Sequence, residues 1–187
     1  MNFNRHNLPF IDMHPFSDYS VPPGKKDVAR HADYVIDLAK KLANGKRPGI
    51  LGTVDENGMP HTRWMATLSL KDFPKLYTIT SPTSRKIQHI RQNPNVNWMF
   101  SNEEMNVIVN LRGKARIEDD FGKMQRVWKL LTDKSKAYFL NISSDGPGFA
   151  VIETDIEDID ATVPKYEILF HAHAEEASTE LENPAAN

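Results

Sequence analysis

The chain contains no cysteine among its 187 residues, which removes disulfides, thiolate metal sites and cysteine nucleophiles together. That composition suits a reducing cytoplasm, where we expect the protein to reside. Long apolar runs are missing too. None approaches the roughly 18 residues that a bilayer-crossing helix needs, and the opening MNFNRHNLPF lacks the apolar centre of a secretory signal. No membrane partner is therefore expected. The 23 basic residues are balanced by 25 acidic ones, for a formal charge of -2, so no basic excess draws in nucleic acid. G-x-S-x-G, G-x-G-x-x-G and Walker-type loops are all absent, which removes the commonest hydrolase and nucleotide-binding readings.

What is present fits one globular domain: 40% of the residues are hydrophobic and 26% charged, enough to bury a core. Residues 1–25 carry Pro9, Pro15, Pro22, Pro23 and Gly24 without any period and read as an extended arm. A domain is expected over 26–174. The tail 175–187, rich in Glu and Ala, is expected to be disordered. From Asp27, Val28, Ala32, Val35, Leu38, Ala39 and Leu42 recur at helical steps, and Asn44-Gly45 supplies a stop. The period then becomes two. PGILGTVDENGMPHTRWMATLSL reads as a hairpin turning at Asp55 to Gly58, with Trp64, Ala66, Leu68 and Leu70 on one face and His61, Arg63, Met65, Thr67 and Ser69 on the other. Further strands are read in KLYTIT, VNWMFS, EMNVIVNLRGKARIED, GFAVIETDIEDI and KYEILFHA, the third of these placing Met105, Val107, Val109, Leu111, Ala115 and Ile117 toward the core. FGKMQRVWKLL returns to helical spacing. Antiparallel strands with short loops point to a mainly β, α+β chain closed as a small barrel, because closure removes exposed edges. A mixed α+β sandwich is the other architecture this pattern allows.

One stretch runs against electrostatic expectation. In TSPTSRKIQHIRQNP, Ser81 reads as an N-cap and Pro82 as the first helical residue, so Arg85 and Lys86 fall near the positive end of a helix. Cations there cost a few tenths of a kcal/mol. An anion held by the free N-H groups, the hydroxyls and both cations reverses that sign, so the stretch is a candidate phosphate cradle. The alternative is plain: Ile87 and Ile90 face the core and the two cations are the solvated side.

The S-R-K, N-P and V-x-x-x-F series, in that order and spread over GILGTVDENGMPHTRWM, LYTITSPTSRKIQHIRQNPNVNWMF and VIVNLRGKARIED, resembles the pyridoxamine 5'-phosphate oxidase-like FMN-binding split barrels, in their general stress protein branch. The resemblance implies an antiparallel six-stranded split β-barrel with flanking helices, a homodimer with FMN at the subunit interface, and a small-molecule substrate or electron donor. It implies that Arg63, Trp64, Met65 and Ala66 line the flavin, that Ile79 and Thr80 touch it, and that Ser84, Arg85 and Lys86 hold its phosphate. Trp98 is a further candidate, since an indole can flank a flavin or close a core. The chain departs from the vitamin-metabolising oxidases at Ile108 or Asn110, about where a glutamine is expected, and in PKYEILFHAHAEE, which lacks their R-x-H-x-R segment. The implied activity is that of an FMN-dependent oxidoreductase other than a pyridoxamine phosphate oxidase; no catalytic residue is assigned. The alternatives are a flavin-binding stress protein without turnover, and a heme- or deazaflavin-binding split barrel.

Two further clusters carry less. His171-x-His173 puts two imidazoles on one side of a strand, but no third ligand is visible in the sequence and no metal is expected. Asp155, Glu157, Asp158 and Asp160 lack the spacing of a calcium loop and read as a solvated edge. His31, His61 and His89 read as surface histidines.

Overall fold

The computed structural model describes residues 28–43, 47–68, 70–132, 136, 148–163 and 168–174. The expected arm, the Asn44-Gly45 stop, Ser69 and the tail lie outside the described residues. Helix α1 (Val28–Ala43) buries Val35, Leu38 and Ala39, on the face its spacing predicts, and also Tyr34, Ile36 and Ala43. Its last carbonyl, on Ala43, accepts a 2.7 Å hydrogen bond from the buried Thr67 hydroxyl, which satisfies a helix-end group that otherwise lacks a partner.

The hairpin of β1 (Gly49–Val54) and β2 (Pro60–Met65) turns where Gly58 adopts φ 79°. The Asp55 carboxylate accepts from the backbone N-H of both Asn57 and Met59 at 2.9 Å, fastening the turn. After β3 (Lys75–Thr80) and α2 (Arg85–Gln92) come β4 (Asn95–Ser101), β5 (Ile108–Ile117), α3 (Phe121–Lys129), β6 (Ala150–Val163) and β7 (Ile168–His173). The strand order is β2-β1-β4-β5-β6-β3, antiparallel throughout, with β7 on β6 outside this path. The two ends meet at Leu68 and Tyr77, whose backbones exchange hydrogen bonds of 2.7 and 3.1 Å. Six strands thus close through this short bridge, matching the expected split barrel, and the fold is mainly antiparallel β with three flanking helices among the described residues.

Alternation along β5 places Val109, Leu111 and Ala115 inward and Arg112, Lys114 and Arg116 outward, as read from the sequence. The ladder to β6 slips at Gly113, where a Cβ would strike the Asp155 carbonyl; only glycine permits that approach. Met105 departs from expectation. It sits before β5 at φ 56°, exposed, in a turn held by the Asn102 side chain, whose Oδ1 accepts from the backbone of Asn106 and Val107 at 3.0 Å.

The acidic set is not an edge, because β6 is paired on both sides. Asp155 binds Lys75, Glu157 binds Lys114, and Asp158 and Asp160 face Arg112. Deeper on β6, Glu153 is 0% exposed. It accepts from Lys75 (3.1 Å), Arg116 (2.8 Å) and Lys123 (3.0 Å), tying β3, β5 and α3 to one carboxylate. Burial alone would raise its carboxyl, yet hydrogen bonds with Glu118, Arg116, Lys123 and Lys75 hold it well below the usual carboxylate range.

Candidate functional site

Helix α2 starts three residues later than the sequence suggests. Ser81 to Ser84 form a turn closed by the Ser84 N-H on the Ser81 carbonyl at 3.1 Å, and Ser84, not Ser81, is the N-cap. Its side chain makes no capping bond. The Ser84 hydroxyl lies 3.2 Å from that of Thr80, the last residue of β3. Arg85 and Lys86 therefore occupy the first helical turn itself, where no acidic residue accompanies them. Lys86 Nζ donates to Thr80 Oγ1 at 2.8 Å, gathering β3, the turn and the helix at one point.

The third cation arrives from the hairpin. Arg63 lies opposite Leu51 in the β1-β2 register, and its guanidinium donates across β1 to the Leu51 carbonyl (3.3 Å) and Thr53 Oγ1 (2.6 Å). Thr53 also meets His89 Nδ1 at 3.0 Å. His89 stands four residues after Arg85 and three after Lys86, on the helix face they share. It is 7% exposed, so the surface-histidine reading fails for it. The His61 and His89 rings lie 4.9 Å apart, and His61 Nε2 is 2.9 Å from Asp55 Oδ2. Hairpin turn, β1, β2 and α2 are thereby linked in one chain of polar contacts.

This corner is electrostatically unfinished. Burial and the nearby Arg85 lower the affinity of Arg63 for its proton; burial and Arg63 do the same to Lys86. Burial, with His61 and Arg63 adding to it, holds His89 below its ordinary value. Elsewhere on the barrel Lys75, Arg112, Lys114, Arg116 and Lys123 each have a carboxylate. Among the described residues, Arg63, Arg85 and Lys86 have none.

The other expected contacts divide. Met65 is half-buried against the main core, Ala66 is exposed, and Ile79 is buried in the smaller core with Tyr77, Val127 and Val151. Trp64 on β2 is 67% exposed and Met59, in the turn before it, 59%: on β2 the face carrying His61, Arg63 and Met65 turns inward and Trp64 turns out. Trp98 corrects its expected role. It is 0% exposed, stacked on Phe100, with its indole N-H on Thr154 Oγ1 at 3.2 Å; the indole closes the core. Sequence reasoning missed Thr53, and it placed His89 near the cofactor but expected it at the surface. The only signal for them was their position on the same strand and helix faces as Leu51 and Lys86.

Among the described residues, no helix is long and apolar enough to cross a membrane. General stress protein 26 of Bacillus subtilis (strain 168) is 30% identical over 114 residues, 59% of this chain and 76% of that protein. A protein related to general stress protein 26 from Clostridium acetobutylicum superposes with a TM-score of 0.63 at 19% identity, over 78% of this chain and 97% of that one. A pyridoxamine 5'-phosphate oxidase-related, FMN-binding protein from Nostoc punctiforme does so at 0.56 and 20% identity, over 81% and 90%. These two likenesses show the same fold. Residues 36–162, more than half of the sequence, match the pyridoxamine 5'-phosphate oxidase family model, and on that match, with the closed six-stranded path, the chain belongs to the pyridoxamine 5'-phosphate oxidase family.

Proposed function

We propose that the protein is an FMN-binding oxidoreductase that exchanges electrons with a small molecule and is not itself a pyridoxamine phosphate oxidase. The observation that carries this reading is the trio Arg63, Arg85 and Lys86, three cations without a carboxylate beside the hydroxyls of Thr80 and Ser84. Such a donor set suits a phosphate ester: two negative charges and several acceptor oxygens meet charged donors and a helix N-terminus. Ser84, Arg85 and Lys86 would hold the phosphate, with Thr80 orienting the Lys86 ammonium. Arg63, Trp64, Met65, Ala66 and Ile79 are the proposed neighbours of the ring. When bound, FMN supplies the electron- and hydride-transfer chemistry. The polypeptide's part is to bind, orient and exclude water, in keeping with the lack of a readable catalytic dyad. The absent R-x-H-x-R segment in the C-terminal sequence supports a substrate other than pyridoxamine phosphate.

The tagless protein purified from cells is expected to be yellow, with the two visible bands of an oxidised flavin that bleach on reduction. A colourless protein that fails to take up added FMN would remove the reading. Retained flavin with no turnover of nicotinamide or quinone partners would leave a binding protein rather than an enzyme.

A homodimer with the flavin at the subunit interface is part of the same proposal. Its support is Trp64, a large apolar side chain left exposed on β2, a terminal strand of the sheet path, with Met59 exposed in the turn just before it; both gain by being covered. Trp64→Asp is expected to convert a dimer to a monomer in size-exclusion chromatography with light scattering, and to weaken FMN binding in parallel. A monomeric parent protein, or a mutant dimer that is unperturbed, argues against this seam.

A further inference from the structure

A second constellation stands on the β6-β7 pair. The register sets Asp158 opposite His173 and Asp160 opposite His171, so two carboxylates and two imidazoles share one face. His173 Nδ1 lies 2.8 Å from Asp158 Oδ1, and His171 Nε2 lies 3.8 Å from the same oxygen. The two rings stand edge to face at 4.9 Å, and one ligand atom from each of Asp158, His171 and His173 falls within 4.8 Å of the others. We propose that these three side chains form a binding site for a divalent transition-metal ion with zinc-like ligand preferences, and that Asp160 is its positioning residue.

Three features build the site. Metal bonds of about 2.0–2.2 Å set tetrahedral ligand atoms a little over 3 Å apart; the two carboxylate-imidazole separations of 2.8 and 3.8 Å bracket that spacing, and the two imidazole nitrogens lie within 4.8 Å of each other. Side-chain rotation would bring the three onto one ion. Next, His171 Nδ1 is 2.7 Å from Asp160 Oδ1. A carboxylate on Nδ1 fixes the tautomer that leaves Nε2 unprotonated and aimed at the ion, the usual support of a metal-binding imidazole. Asp160 is itself held, since its other oxygen accepts from Arg112 Nη1 at 2.7 Å. The local charge also permits a dication. Arg112 contributes one positive charge against the two carboxylates, and the imidazoles bind metal as neutral groups, so a net negative charge remains. Two nitrogens and one carboxylate oxygen favour zinc, nickel or copper over magnesium or calcium, which prefer all-oxygen sets. Three protein ligands leave a fourth position for water.

The ion would also have a mechanical consequence. Among the described residues β7 pairs only with β6, outside the closed path, so a bridge from Asp158 to His171 and His173 would pin the last described strand to the barrel.

The full chain, freed of any affinity tag, is titrated with zinc chloride by calorimetry and with cobalt chloride by visible absorption. We expect saturation at one ion per chain, a cobalt spectrum of intensity above that of the aqueous ion, and a higher melting temperature with zinc. H171A and H173A should each weaken zinc binding at least tenfold. D160N removes no ligand and should still weaken it about 10–100-fold and alter the cobalt spectrum, with the metal-free melting temperature unchanged. An aqueous-type cobalt spectrum with the parent protein, or zinc affinity indifferent to H171A and H173A, overturns the proposal and leaves a histidine-carboxylate hydrogen-bond ladder. Because the cobalt reading uses the unmutated protein, a variant that misfolds cannot obscure the outcome.

Discussion

The double substitution Arg85→Ala/Lys86→Ala is expected to abolish FMN binding while leaving the flavin-free fold intact or slightly more stable. The two expectations come from the same charges. A charge-assisted hydrogen bond contributes about 1.5–3 kcal/mol, so losing two should weaken binding by about 3–6 kcal/mol, or roughly 10²- to 10⁴-fold. In the apoprotein the same side chains are a burden. They stand in the first turn of α2, where the helix end is already positive, and they crowd Arg63, whose guanidinium is disfavoured by burial and by Arg85. Ile87 and Ile90, both buried, still seat the helix on the barrel. Quenching of flavin fluorescence measures the affinity, and a thermal melt of the apoprotein measures the fold. Undiminished affinity would mean that the phosphate is held elsewhere. A collapse of the apoprotein melt would instead make the two cations structural.

The largest stability effect is expected at Glu153. Replacing it by alanine vacates a fully buried position and takes one of two carboxylates from each of Lys75, Arg116 and Lys123, leaving Asp155 to the first and Glu118 to the other two. Breaking a buried ion pair from one side costs about 3–5 kcal/mol. All three cations are partly exposed and can turn toward water, so the lower end, about 3 kcal/mol, is expected. For a chain of this size that lowers the melting temperature by about 6–12 °C. The pH dependence carries a definite sign. The carboxyl is held below its unfolded value of about 4.3, so its stabilising contribution is complete above that pH and is lost as pH falls through the lower folded value. On the alkaline side the Lys75 amine is held above its ordinary value, chiefly by its hydrogen bond with Asp155, and with a further contribution from Glu153; that contribution fades only as pH rises through the raised value. The difference in melting temperature between parent and Glu153→Ala should be flat across neutral pH and shrink in acid. A constant difference down to pH 2 would assign the loss to packing rather than to charge.

These three residues also mark what a linear chain conceals. Arg85 and Lys86 were legible because the conflict they create is local: two cations at a helix start can be recognised without knowing what surrounds them. Glu153 was not, since its partners lie on β3, β5 and α3, and nothing in AVIETDIEDI separates it from its solvent-facing neighbours. His89 fails in the same way. Its helix period is compatible with either side, and only the arrival of Thr53 from β1 closes it off. Trp98 shows the reverse error, in which a residue type able to serve two roles was expected at the cofactor and was found sealed in the core. The metal proposal required both strands at once, because Asp158 and His173 are 15 positions apart and meet only through the β6-β7 register.

Period-two alternation, the Asn57-Gly58 turn and the helical spacing of Val35, Leu38 and Ala39 determined the elements and much of the barrel, because each depends on neighbours within one or two turns of chain. Tertiary structure decided which face of β2 turns inward, where α2 begins, and which charges find partners. Those outcomes depend on desolvation and on contacts between strands distant in sequence, and neither is encoded in any local spacing.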